Sequence, residues 1–155
     1  MIKIIPLLLT LVFSITTLAQ KNTEEYHVKT DTLKVKKVIE TFFEGLHKGD
    51  SSIISKTLHK DVKIQTTSTN KLGQNILKTD TKEELLTSVA HKKTTHTYFE
   101  KLLSIDVQID GNLASVWTPY EFYLNGNFSH CGANSFQLFH NNGNCLLYTS
   151  PSPRD

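Results

Sequence analysis

The sequence predicts an α+β domain in which helices come first and a meander of long, mainly antiparallel strands follows. Three patterns lead to that class. Apolar residues recur at three- and four-residue steps from Val35 to Leu46, which is the period of one helical face. Leu103, Ile105, Val107 and Ile109 alternate with Ser104, Asp106, Gln108 and Asp110, the period of a strand with one solvated face. Asn125-Gly126, the strongest short hairpin signal in the chain, separates two runs rich in β-branched and aromatic residues.

Taken in order, Met1-Ile2-Lys3 places a positive charge ahead of an apolar run from Ile4 to Leu18 that closes on Thr17-Leu18-Ala19. This is the pattern of a secretory signal peptide cut after Ala19, residues 1–19. A membrane helix needs ~20 apolar residues, and this run is shorter and contains Ser14, Thr16 and Thr17. The mature chain is therefore expected to be periplasmic or secreted, with no membrane contact after cleavage. Residues 20–30 are polar, lack periodicity and read as a mobile lead-in.

The domain is expected over residues 31–144. Asp31 is placed to cap the first helix, whose face is Val35, Val38, Ile39, Phe42 and Leu46, and Gly49 to stop it. Asp50 can cap a short second helix holding Ile53, Ile54 and Leu58, and Val62-Lys63-Ile64 begins a strand. A polar loop with Gly73 follows. Thr81-Lys82-Glu83-Glu84 is a capping box ahead of Leu85, Leu86 and Val89, so a third helix runs to about His91. The Leu103–Ile109 strand turns at Asp110-Gly111-Asn112, and Leu113–Leu124 and Phe128–His140 form the Asn125-Gly126 hairpin. Asn141-Asn142-Gly143-Asn144 makes another turn.

Beyond it the composition shifts. Arg154 is the only Arg of the chain, and Pro151 and Pro153 sit beside it. Cys145–Asp155 resembles, residue for residue, the translation of a widely used transposase sequencing adaptor. Residues 145–155 are thus expected to be an artificial tail standing where the natural last strand is cut off; Leu146, Leu147 and Tyr148 are expected to be able to occupy part of its place, whereas Pro151 and Pro153 cannot extend a central ladder.

Setting the tail aside leaves Cys131 as the one cysteine, so no disulfide is expected within residues 20–144. The formal charge of +2 falls to +1 without Lys3, which argues for neither nucleic acid nor an anionic membrane as partner. There is no His-Glu-x-x-His motif, no zinc-type cysteine spacing and no Gly-rich phosphate loop, so no metal or cofactor is indicated.

The order helix, short helix, strand, helix and meander resembles the nuclear transport factor 2-like superfamily. Its first helix is similar to Glu40-Thr41-Phe42-Phe43-Glu44-Gly45-Leu46-His47-Lys48-Gly49-Asp50. Asn112–Tyr123 and His130–Leu138 are similar to its central strands. The likeness covers Leu33–Asn144 and is nearest the exported bacterial branch labelled putative lumazine-binding. That branch implies an aromatic residue and a Lys after the last turn, where this chain has Cys145 and Leu146. The resemblance implies a curved, mainly antiparallel sheet wrapped over three helices to leave a cone-shaped pocket, on a fold that hosts unrelated functions.

Residues two apart on a strand share a face. If Val116, Thr118, Tyr120 and Phe122 face inward, then His130, Gly132, Asn134, Phe136 and Leu138 join them across the hairpin. Thr118, Tyr120, Phe122, His130, Asn134 and Phe136 are the candidate ligand-binding residues, because an apolar wall carrying a few polar groups is what a small molecule needs. Packing within the sheet is the plainer account of the same residues. The adjacent His130 and Cys131 suggest a nucleophile and its base, but neighbours on a strand point to opposite faces, and a buried, inert Cys131 is expected. Asp106, Asp110 and Glu121 fall on the solvated face or in turns, while His59 and Asp61 read as loop polarity. No catalytic residue is assigned. The leading expectation is an exported small-molecule-binding protein. A pocket enzyme of the isomerase, dehydratase or cyclase type using His or a carboxylate, and a dimerisation or interaction module, stay open beside it, as does a homodimer.

Overall fold

The computed structural model describes residues 31–141 and 143–154, and the account below concerns the compact unit Lys34–Asp155. The expected signal peptide and lead-in lie outside the described residues. Helix α1 spans 31–48 and already includes Asp31. Gly49 ends it at φ +71°, a left-handed conformation that glycine adopts without steric penalty. Asp50 then caps α2 (Ser51–Ser55), its Oδ1 accepting from the backbone N–H groups of Ser52 and Ile53. Helix α3 (Lys82–Ala90) starts on the predicted capping box. Thr81 Oγ1 accepts from Glu84 N–H at 3.2 Å, and Glu84 Oε2 accepts from Thr81 N–H at 2.7 Å.

Seven strands form one sheet: β1 (Leu58–Thr69), β2 (Asn75–Asp80), β3 (Tyr98–Leu102), β4 (Asp106–Asp110), β5 (Leu113–Leu124), β6 (Asn127–Asn141) and β7 (Asn144–Arg154). Their order is β2-β1-β7-β6-β5-β3, with β4 also on β5, and every pairing is antiparallel except that of β1 with β7. The expected α+β class, with three helices on a mainly antiparallel sheet, is the observed one. Gly45 lets α1 and α2 meet closely, since a Cβ there would lie 2.7 Å from Ile54 Cγ1.

Several boundaries differ from expectation for local reasons. Leu58 begins β1 rather than ending α2, and part of the expected polar loop is β2, which hairpins back onto β1. Of the expected strand Leu103–Ile109 only residues 106–109 are strand, in β4, and Leu103–Ile105 form a break between it and β3, which was not expected. That break lies opposite Pro119. Leu103 N–H donates to Pro119 O at 2.8 Å, so the edge on which Pro119 lacks an N–H faces the interruption rather than a continuous ladder.

The tail forms β7, lying between β6 and β1, so Leu146, Leu147 and Tyr148 take the place expected for the cut-off strand. It pairs with β6 as far as Thr149 and from there has β1 alone beside it, through Pro151 and Pro153. Two prolines two residues apart lack an N–H on the same edge, and past Thr149 one edge of β7 has no neighbouring strand among the described residues. Leu147 is fully buried, and its N–H donates to Thr57 O at 2.9 Å.

The core lies between α1, α2 and the inner face of the central strands. Val35, Ile39, Phe42 and Phe43 of α1 pack with Ile54, Val116, Phe136 and Leu138. The Phe136 ring meets both Phe42 and Phe43 edge-on at 5.9 Å, a favoured aromatic geometry.

Candidate functional site

At one end of β5 and β6 the sheet is not packed shut. A cavity of about 390 Å³ lies between α3 and the strands. The strands supply Tyr98 and Glu100 from β3, Tyr120, Phe122 and Leu124 from β5, and His130 from β6. The opposite wall is Leu46 of α1 with Leu85, Ser88 and Val89 of α3, and Lys92 and His96 follow that helix.

Strand register makes this wall. Phe122 lies opposite His130, Tyr120 opposite Gly132, Thr118 opposite Asn134 and Val116 opposite Phe136, so the alternation read from the sequence gives the observed inner face. The register slips between Phe122 and Tyr123, with Ser129 as the extra residue of a bulge. His130 thereby stacks on Phe122 at 4.9 Å and meets the Tyr120 ring edge-on at 5.9 Å. Tyr98 adds a further ring, 5.7 Å from Phe122.

The six candidate residues divide at this end of the sheet. Tyr120, Phe122 and His130 line the cavity, whereas Thr118, Asn134 and Phe136 are buried below it. Phe136 belongs to the core. Asn134 supports the site from beneath: its Nδ2 donates to Glu100 Oε1 at 2.7 Å and lies 3.4 Å from Thr118 Oγ1.

Glu100, which the sequence reading passed over when it weighed Asp106, Asp110 and Glu121, is the carboxylate that lines this wall. A signal was present, since Tyr98, Glu100 and Leu102 alternate with the exposed Phe99 and Lys101. The Glu100 backbone N–H donates to His47 Nε2 at 2.9 Å, which ties β3 to the end of α1. That bond needs the ring lone pair and hence a neutral imidazole. Burial also pushes the His47 pKa down, and the nearby Lys92 ammonium acts in the same direction.

Lys92 lies where α1 ends. Its Nζ donates to His47 O at 2.8 Å and sits 5.3 Å above the Tyr98 ring. Carbonyls at a helix C-terminus attract a cation, so this ammonium is fixed at the cavity wall by the fold. Lys82, at the other end of α3, donates to Ser55 O and Leu58 O at 3.3 and 3.1 Å. The two lysines hold α3 over the sheet.

The remaining candidates lie elsewhere. Cys131 is exposed on the outer face rather than buried, because among the described residues no element covers that face of β6. His130 points into the cavity on the other side, so the adjacent pair is not assembled as a nucleophile and its base. Asp106 and Asp110 are exposed. Glu121, on the outer face, accepts from Tyr123 Oη at 2.8 Å and from Lys101 Nζ at 3.2 Å, and these bonds hold its carboxyl below the usual range. The His59 ring lies 5.3 Å from Phe139, and neither His59 nor Asp61 lines the cavity. Among the described residues no group of three or more His, Cys, Asp or Glu is placed to hold a metal ion.

A family model described as putative lumazine-binding matches residues 30–125. No curated protein matches the chain. Among solved structures, the chain is similar to a nuclear transport factor 2-like protein with a cystatin-like fold from Novosphingobium aromaticivorans (TM-score 0.67, 11% identity, 86% of this chain and 88% of that one). It is also similar to a protein of unknown function with a cystatin-like fold from Nostoc punctiforme (TM-score 0.64, 18% identity, 81% of this chain and 92% of that one). A third is described as a putative dehydratase of the nuclear transport factor 2-like family from Streptomyces avermitilis (TM-score 0.60, 13% identity, 82% of this chain and 97% of that one).

Proposed function

Given that the chain belongs to the family described as putative lumazine-binding, within the nuclear transport factor 2-like superfamily, we propose that it is an exported protein whose cavity holds a small, partly apolar molecule. The observation that carries this reading is the cavity itself. Its volume of about 390 Å³ falls in the ~300–1,000 Å³ range of small-molecule sites. Its wall combines Leu46, Leu85, Val89, Phe122 and Leu124 with the polar atoms of Tyr120, His130, Glu100 and Lys92, giving apolar area for affinity and a few polar groups for orientation.

The test is to identify what co-purifies with the protein and to measure its affinity for three variants. A neutral hydrogen bond contributes about 0.5–1.5 kcal/mol, so Tyr120→Phe and His130→Ala should each weaken binding by several-fold. Asp106→Asn on the exposed face should not. Unchanged affinity in both cavity variants would overturn the reading and leave an interaction module. Export rests on the Ile4–Leu18 run, and N-terminal sequencing of the mature protein should begin at Gln20.

One observation favours a second reading, an enzyme that moves a proton. Asn134 fixes one Glu100 oxygen at 2.7 Å inside the cavity that Tyr120 and His130 also line, and a positioned carboxylate is a group suited to general acid–base work. Under this reading Glu100→Gln abolishes turnover of the identified ligand while leaving its binding within a few-fold.

A further inference from the structure

His47 does not line the cavity, yet three parts of the cavity wall meet at it. Its Nε2 accepts the backbone N–H of Glu100 on β3, and its own carbonyl accepts from Lys92 Nζ, just beyond α3. Leu46, beside it in α1, lines the cavity together with Tyr98, Glu100 and Lys92. Among the described residues β3 has a strand on one side only, β5. The N–H that bonds to His47 points to the other side, so the ring fills the place that a further strand's carbonyl would take.

We propose that His47 is a pH-sensitive latch on the cavity wall: a proton on its ring releases the free edge of β3 from the end of α1 and loosens the wall that Tyr98 and Glu100 form. The latch belongs to the wall and not to its occupant, so it does not depend on which molecule, if any, the cavity holds. The bond to Glu100 uses the Nε2 lone pair, and a protonated imidazole carries a donor at that atom, so the two N–H groups would face each other. Lys92 holds its ammonium at the His47 carbonyl and opposes a second positive charge beside it. On β3 the Glu100 carboxylate accepts from Asn134 Nδ2 at 2.7 Å, and on α1 the charged neighbours Glu44 and Lys48 pair with each other at 2.7 Å. The aromatic neighbours of the ring, Phe43 and Phe99, are neutral. Release does not require unfolding. β3 keeps its ladder to β5, and Thr97 just before it keeps a reciprocal pair with Asn125, Thr97 N–H to Asn125 Oδ1 at 2.7 Å and Asn125 N–H to Thr97 O at 2.9 Å.

Amide hydrogen exchange followed by NMR at a series of pH values reads the latch directly, because the Glu100 N–H bonds to His47 whereas those of Phe99 and Lys101 point towards β5. After correction for the intrinsic rate, Glu100 protection should be constant above about pH 6.5 and fall about tenfold per pH unit below it, where a released ring takes up a proton. Phe99 and Lys101 should stay protected. In His47→Gln, whose side-chain oxygen still accepts the N–H, Glu100 protection should not depend on pH. That variant keeps His96 and His130, the two histidines that line the cavity, and so separates their effects from that of His47. Ring 15N spectra of the unaltered protein give a readout that needs no variant: His47 should take up its proton below the range of an unperturbed imidazole, and the Glu100 amide shift should move with the same midpoint. Constant Glu100 protection throughout the acid range, a fall that persists in His47→Gln, or a His47 midpoint that the Glu100 amide does not share would overturn the latch. An equal fall at Phe99 and Lys101 would overturn it too, since the whole strand would then be opening together.

Discussion

The same two strands, β5 and β6, build a closed core at one end and an open cavity at the other. From Ala114 to Val116 on β5 and from Phe136 to Leu138 on β6, inward side chains meet α1, whose Ile39, Phe42 and Phe43 fill the space. From Tyr120 to Leu124, and at His130, the inner face continues with the same alternation, but α1 has ended at Gly49. What lies opposite is Leu46 in the last turn of α1 and the side of α3, with Ser88 among its apolar residues and Lys92 just beyond it. The change from core to site thus comes from where one helix stops. Helix length, set by a glycine and the following Asp50 cap, determines how much of the sheet α1 leaves uncovered.

Breaking the closed end should have the largest effect. Phe136 is 1% exposed and contacts two other rings, so Phe136→Ala should cost about 3–5 kcal/mol in denaturant unfolding. Phe122→Ala at the cavity should cost less than half as much, since that wall is already incompletely packed. Equal losses would mean that the two ends are packed alike.

The next effect lies at the boundary between the ends. Asn134→Ala removes the donor to Glu100 and should cost about 1.5–3 kcal/mol, the range for a hydrogen bond to a charged group. Glu100→Gln should lose less, because the amide oxygen still accepts from Asn134. A double-mutant cycle on the pair measures their coupling, and a coupling near zero would remove Asn134 as a support of the site.

His47 predicts a pH dependence at the same boundary. Its folded pKa is depressed, while the unfolded ring titrates near ~6.5. Above that value both states are neutral and the term vanishes. As pH falls through it, the unfolded chain takes up a proton that the folded ring resists, so stability declines toward the lowered folded value. His47→Gln keeps an acceptor for the Glu100 N–H and should flatten this part of the stability profile. An unchanged slope would contradict the account.

The smallest effect is expected on the outer face. Cys131→Ser should change stability by no more than ~0.5 kcal/mol, as exposed substitutions usually do. The thiol should react with a maleimide in the folded protein without a preceding unfolding step, and protection that is lost only on unfolding would show the face to be covered.

How much of this was legible depends on the range of the chemistry involved. Caps and turns are written within a few residues, and Gly49, Asp50, the Thr81–Glu84 box and Asn125-Gly126 all read correctly. The inner face of β5 and β6 was legible because one hairpin turn sets the pairing and alternation does the rest. β2 was not, since Asn75–Thr79 are exposed and show no apolar alternation. β3 was missed because an inward Glu100 interrupts the apolar pattern, and its partner Asn134 lies 34 residues away. The burial assigned to Cys131 failed for the complementary reason: alternation places a residue on a face, but only the fold shows whether that face is covered.

The claim that the uncovered end of β5 and β6 is a ligand site can be tested most directly by backbone amide NMR on the 15N-labelled protein, screened with small, partly apolar fragments. The account predicts that the largest shift changes fall at Tyr98, Glu100, Tyr120 and His130, with the outer-face residues Phe99, Trp117 and Phe128 unmoved by the same compounds. Shifts centred on those outer residues, which are 49%, 50% and 59% exposed, or no shift around the cavity with any fragment, would contradict it.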